Sequence, residues 1–148
     1  MAFEDELNKN EKLLQVVKPH PLSYLSKYIL AGFATFFLLL IFGTLGFVLG
    51  LILFLVIELV RRNNRYYVTN SRVAHDFTFY FIARKTSSTV YNKIQDLHLF
   101  QGLIGRIFNI GTLKINTAGS HIVEITFEGI KNPLLIKKLV EKHLTPRL

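Results

Sequence analysis

From Ile29 to Val60 the chain is apolar at nearly every position: apart from glycine, only Thr35, Thr44 and Glu58 carry polar side chains. A run well past the ~18 residues that mark a membrane span, with no Lys, Arg or Asp inside it, is expected in lipid rather than in a small soluble core. As one helix, its 32 residues would extend about 48 Å at ~1.5 Å per residue, against a hydrocarbon core of ~30 Å. Gly43-Thr44-Leu45-Gly46 lies near the middle and divides the run into two helices of about 15 residues. Tyr24, Leu25 and Tyr28 lengthen the first helix through an interfacial belt, and Ser23 is its expected N-cap. Glu58 stands one turn before Arg61 and Arg62, its expected partners. One long tilted helix is the alternative.

Before this run, Phe3, Leu7, Leu13, Leu14, Val16 and Val17 are mixed with charges, which reads as an amphipathic interfacial helix or an irregular tail ended by Pro19 and Pro21. After Asn63-Asn64 the pattern changes to short segments rich in Tyr, Phe, Val, Ile and Thr, the signature of strands. Arg65 to Thr69 and Arg72 to Tyr80 form a hairpin about Asn70-Ser71, and Ile82 to Tyr91 is a third strand. Ile94 to Phe100 alternates too weakly to assign. In Thr112 to Thr117 and His121 to Phe127 apolar and polar positions alternate, with Ala118-Gly119-Ser120 as the connecting turn. Asn132-Pro133 then opens an amphipathic helix with Ile136, Leu139, Val140 and His143 on one face. Leu103, Ile104, Ile107 and Phe108, with Gly102 and Gly105 among them, have helical spacing and are expected in the core; exposed, they would be the candidate docking surface. The domains expected are thus 1–22, a tail or interfacial helix; 23–62, a transmembrane hairpin; and 63–148, a sheet closed by a terminal helix.

Charge sharpens the picture. Residues 1–60 hold four basic and five acidic groups, a net of −1, whereas residues 61–148 hold fourteen and five, a net of +9. Basic flanks on both sides of the apolar run, at Lys18, Lys27, Arg61, Arg62 and Arg65, favour a hairpin that keeps both ends in the cytoplasm of a multi-pass protein of the cell membrane. Membrane tethering accounts for the basic balance, and no nucleic-acid-binding signature accompanies it. Gly32, Gly43, Gly46 and Gly50 offer close helix packing, which leaves a homo-oligomer open.

Candidate chemistry is sparse. The chain has no cysteine, so thiolate metal sites and cysteine nucleophiles are excluded. Asp96 and His98 share a strand face, and His75, Asp76 and His121 on other strands are the remaining candidate ligands, although their spacing matches no compact metal motif. No nucleophile elbow, phosphate loop, dinucleotide fingerprint or paired-histidine zinc motif occurs.

Tyr67-Val68-Thr69-Asn70-Ser71-Arg72-Val73, Ile94-Gln95-Asp96-Leu97, Gln101 through Thr112 (QGLIGRIFNIGT) and Thr117-Ala118-Gly119 follow the apolar hairpin in order. Together they resemble the bacterial and archaeal membrane-flanked pleckstrin-homology-like domains, the YdbS-like family, from about Lys18 to Leu144. The resemblance implies an α+β membrane protein: a transmembrane helical hairpin followed by a bent antiparallel sheet or open barrel, capped by the helix Pro133 to Leu144. It implies a binding or assembly module with no catalytic residues and no cofactor. Phosphoinositide recognition is not carried over, because the first turn, Asn70-Ser71, is short and has only Arg65 and Arg72 beside it.

The function expected is therefore a membrane-anchored, cytoplasm-facing scaffold that recruits protein partners. Arg61, Arg62, Arg65, Arg72, Arg84 and Lys85 are its expected contacts with the lipid surface. The alternatives are a sensor of anionic phospholipid head groups and, from another class, a metal-dependent membrane enzyme.

Overall fold

The computed structural model describes residues 10–79, 83–117 and 125–144. Two long helices come first in any view of it. Helix α1 spans Leu25–Phe42 and α2 spans Thr44–Asn63, so only Gly43 separates them. Gly43 has φ +59° and ψ −135°, a conformation that side chains with a Cβ resist, and it accordingly reverses the chain in a single residue. The turn is tighter than the tetrapeptide expected, and the helices are longer. At ~1.5 Å per residue they reach about 27 and 30 Å, close to the ~30 Å hydrocarbon thickness.

The helices pack along small residues. A Cβ on Gly46 would overlap the Leu38 carbonyl, and one on Gly50 would overlap the Thr35 side chain. Ala31 is buried on the facing side of α1, and Thr35 donates its hydroxyl to the Ala31 carbonyl (2.7 Å). Gly46 and Gly50 are thus used within the chain, in the close helix approach that small residues permit. Gly32 faces open space.

The segment before the helices corrects the reading of a helix or irregular tail in its last part, while Phe3 and Leu7 lie outside the described residues. Leu13–Val17 is a strand, β1, and it pairs antiparallel with β2, Asn64–Thr69, in a register that sets Val17 opposite Tyr66. It lacks the alternation that marks a half-buried strand: Leu14 and Val16 are apolar yet exposed, and only Leu13 and Val17 turn inward. Nor does Ser23 cap α1. His20 Nδ1 accepts the Leu22 N–H (3.3 Å) at the head of a 3-10 turn, Pro21–Tyr24, and Ser23 Oγ donates to the His20 carbonyl (2.6 Å).

Strands β3 (Arg72–Phe79) and β4 (Ala83–Val90) complete a four-stranded antiparallel sheet in the order β1-β2-β3-β4. The segment left unassigned, Ile94–Phe100, is β5, which forms a second sheet with β6 (Ile110–Thr117) and β7 (Ile125–Lys131). The expected Ala118-Gly119-Ser120 turn lies outside the described residues. A bridge between Pro19 and Ile130, with the His20 N–H donating to the Gly129 carbonyl (2.8 Å), links the two sheets beside the helix base.

Both sheets and the terminal helix α4, Pro133–Leu144, share one core. Val17, Tyr66, Val68 and Val73 meet Leu113, Ile115, Ile125, Phe127 and Ile130, and Ile136 and Val140 of α4 close the layer. Each large aliphatic or aromatic side chain so buried contributes about 1.5–3 kcal/mol. The Tyr66 ring stacks on Phe127 at 4.7 Å, and its hydroxyl accepts the Glu128 N–H (3.0 Å). Tyr91 stacks on His143 and donates to the Thr69 carbonyl (2.6 Å).

Candidate functional site

The helices meet the sheets in a polar knot centred on Glu58. Arg61 forks onto it, Nε to Oε2 (2.8 Å) and Nη2 to Oε1 (2.6 Å), while Arg62 Nε reaches Oε1 (2.6 Å). Both arginines sit on the last turn of α2, so helical spacing delivers them to one carboxylate. Tyr28 of α1 adds its hydroxyl to Oε2 (2.7 Å), which ties the two helices together at their base. Arg61 Nη1 also donates to the Pro19 carbonyl (3.1 Å), so one guanidinium joins α2 to the segment that follows β1. Asn64 completes the junction: its amide donates to the Val60 carbonyl (2.9 Å), and its Oδ1 accepts from His75 Nε2 (2.9 Å) on β3. Burial holds the His75 imidazole below its ordinary pKa.

Strand direction decides where the other expected lipid contacts fall. Arg65 lies at the helix end of β2, and Arg84 and Lys85 lie at the same end of β4, which pairs Arg84 with Thr78 and Lys85 with Phe77. Arg72 is not gathered with them. It sits at the opposite end, where its Nε binds Glu11 Oε1 (2.8 Å), a carboxylate that also accepts from Thr69 Oγ1 (2.8 Å). Arg61 is largely enclosed by the knot, whereas Arg62 projects outward.

A cleft of about 420 Å³ opens beside the base of α1, against β6 and β7. Ser23, Lys27, Thr112, Lys114, Thr126 and Glu128 give it polar walls, and Lys27 Nζ stands 4.1 Å from the centre of the Tyr24 ring. Two ammonium groups set against the single Glu128 carboxylate leave the cleft with one net positive charge, and Thr112 and Thr126 add hydroxyls, a set that suits a small anionic, hydrogen-bonding group. Reading the sequence missed this cleft, because its walls come from segments nearly the whole chain apart and share no motif.

The candidate metal ligands do not come from one element. His75 and Asp76 lie on β3 of the first sheet, Asp96 and His98 on β5 of the second, and His121 is outside the described residues. Asp76 is engaged by Thr86 Oγ1 (2.7 Å) and Arg84 Nε (3.2 Å). No cluster of three His, Asp or Glu side chains occurs among the described residues.

The Phe100–Ile110 segment corrects another expectation. It forms a short helix, α3, at Leu103–Ile107, but Leu103, Ile104, Ile107 and Phe108 are exposed rather than buried.

Two sheets of four and three strands with a helix over their shared core agree with what comparison finds. The model of the bacterial PH domain family matches residues 25–144, from the first residue of α1 to the last of α4. The chain belongs to the bacterial PH domain family. In this PH domain the matched segment includes both long helices and leaves β1 outside it. Among solved structures it is similar to the crystal structure of a DUF1696 family protein with a pleckstrin-homology domain from Shewanella loihica PV-4. The TM-score is 0.56 with 11% identity, over 97% of this chain and 87% of that one, which shows a shared fold. No curated protein matches the chain.

Proposed function

We propose that this bacterial PH domain, of the YdbS-like kind, is anchored in the cell membrane by its α1–α2 hairpin and serves as a cytoplasm-facing binding or scaffolding module for protein partners, without a catalytic centre. One observation carries the reading. In the most apolar windows of the two long helices only 6% and 11% of the residues are buried, while the sheets and α4 close a complete core without them. A core helix of a soluble protein would bury its apolar face. The Glu58 knot supports the same reading, since it gathers charge at the helix base where head groups would lie, with Arg62, Arg65, Arg84 and Lys85 outward or nearby.

A topology map tests it. The chain has no cysteine, so Thr44→Cys alone is expected to react with an impermeant reagent from outside, while a reporter after Leu148 registers in the cytoplasm. A Thr44→Cys variant unreactive from outside intact cells but reactive after lysis, with the protein in the soluble fraction, would overturn the anchoring.

The cleft supports a second reading, recognition of an anionic head group. Its test is binding of a soluble, short-chain phosphatidylglycerol to the full chain in neutral detergent. Affinity that falls with salt and drops about tenfold in Lys27→Gln/Lys114→Gln favours this reading.

A further inference from the structure

The end of β5 and the loop that follows it carry large apolar side chains that nothing among the described residues covers. Leu103 is 83% exposed, Ile107 78% and Phe100 70%. The helix that carries Leu103 and Ile107 approaches backbone closely at Gly105. A Cβ on Gly105 would collide with the Ile110 carbonyl oxygen, and Gln101 Nε2 donates to that same oxygen (3.1 Å), so the inner side of α3 is occupied by backbone. At Gly105 itself the helix lies too close to this backbone to hold a side chain.

The position of α3 identifies what covers it. Ile104, Gly105 and Ile110 share a groove of about 320 Å³ with Leu22, Leu25 and Ile29 at the start of α1. Ile29 then lines the next hollow along α1 with Phe33 and Phe36, so the surface of α3 is continuous with the outer surface of the helix hairpin. Tyr28, the neighbour of Ile29, binds Glu58 and thereby marks the polar level of the helix pair. The patch extends further: Asn109 Nδ2 donates to Asn132 Oδ1 (2.6 Å), which fixes the start of α4 beside the end of α3, and Leu134 and Leu135 there are 51% and 64% exposed.

We propose that α3 and the first turn of α4 form a further, non-spanning membrane contact, in which Phe100, Leu103, Ile104, Ile107, Leu134 and Leu135 dip into the boundary between head groups and acyl chains. Exposed Arg106 on the same helix supplies a charge for lipid phosphate. The contact rests on the hairpin being in the bilayer. It fixes the tilt of the sheets on the surface, because the hairpin and α3 then bear on lipid at separate points.

The test uses the full chain in phosphatidylcholine vesicles containing phosphatidylglycerol, with single cysteines at Ile107, Phe36 or Asn92 carrying an environment-sensitive fluorophore. Nitroxide lipids labelled either near the glycerol or near the chain end act as quenchers. The Phe36→Cys label reports the hairpin, and the Asn92→Cys label reports the distal end of β5. The expected result is quenching at Ile107→Cys by the shallow nitroxide at least about twofold beyond Asn92→Cys, with the deep nitroxide weaker there. Leu103→Cys repeats the measurement, so that one perturbed site does not decide it. Quenching at Phe36→Cys while Ile107→Cys and Leu103→Cys match Asn92→Cys would overturn the contact and leave the hairpin standing. No quenching at Phe36→Cys would overturn the anchoring itself. Labels at Ile107 and Leu103 shielded from lipid, with disulfide crosslinking of two copies through Ile107→Cys, would make the patch an interface between copies and overturn the lipid contact.

Discussion

Val17 and Tyr66 are cross-strand partners, although both long helices lie between them in the chain. The hairpin is therefore an insertion between adjacent strands of one sheet, and its two ends emerge side by side. A single crossing would put β1 and β2 on opposite faces of a membrane and break the ladder.

Removing the first strand is expected to damage the domain more than removing the helices. A chain in which residues 10–19 are joined to 64–148 by a short Gly/Ser linker keeps the β1–β2 ladder and Glu11, and should unfold cooperatively in urea. Residues 64–148 alone leave β2 as an open edge and strip Arg72 of its buried carboxylate, with a loss of about 3 kcal/mol or more. Equal urea midpoints for the two chains would show that β1 is dispensable.

The Glu11–Arg72 pair itself makes a sharper prediction. The Glu11 side chain is only 1% exposed and Arg72 20%. Glu11→Ala takes the buried carboxylate away from the Arg72 guanidinium and should cost about 1–3 kcal/mol, whereas replacing both residues by apolar ones of similar size should recover much of the loss. Thermal unfolding of the two single variants and the double variant, run as a cycle, reads the coupling.

Helix packing separates two glycines that sequence treats alike. Gly46→Leu forces a side chain into the Leu38 backbone and should lower the stability of the hairpin by about 2 kcal/mol or more, while Gly32→Leu meets open space and should be near neutral. Thermal unfolding in mild detergent should place Gly46→Leu well below the parent and Gly32→Leu beside it.

Two buried rings predict opposite pH limits. Burial pushes the Tyr91 phenol up to about 12, from an ordinary value near 10, so its neutral form is favoured in the folded state. Its contribution is fully present below about pH 10 and is lost as pH rises towards 12. His75 is held below its ordinary ~6.5, so its contribution is present above that pH and is lost as pH falls through the lower folded value. Urea midpoints across pH should fall at both ends, and His75→Phe should flatten the acid side while Tyr91→Phe flattens the alkaline side. The Tyr91→Phe variant should also lose about 1 kcal/mol at neutral pH with its bond to Thr69.

Much of this protein was legible from local pattern. The apolar run, its central reversal at Gly43, the pairing of Glu58 with Arg61 and Arg62, the alternation in β6 and at Ile125 to Phe127 of β7, and the stripe on α4 all depend on residues within a few positions of one another. Periodicity and charge spacing report such relationships directly. Tertiary structure alone decided the rest. β1 is a strand only because β2 offers it a ladder from the far side of the hairpin, and Arg72 belongs to Glu11 rather than to the basic end because strand direction carries it away. The cleft joins Lys27 to Lys114 across most of the chain. Leu103 and Ile107 have the spacing of core residues yet are exposed, and helical period by itself does not tell which face of a helix meets the core.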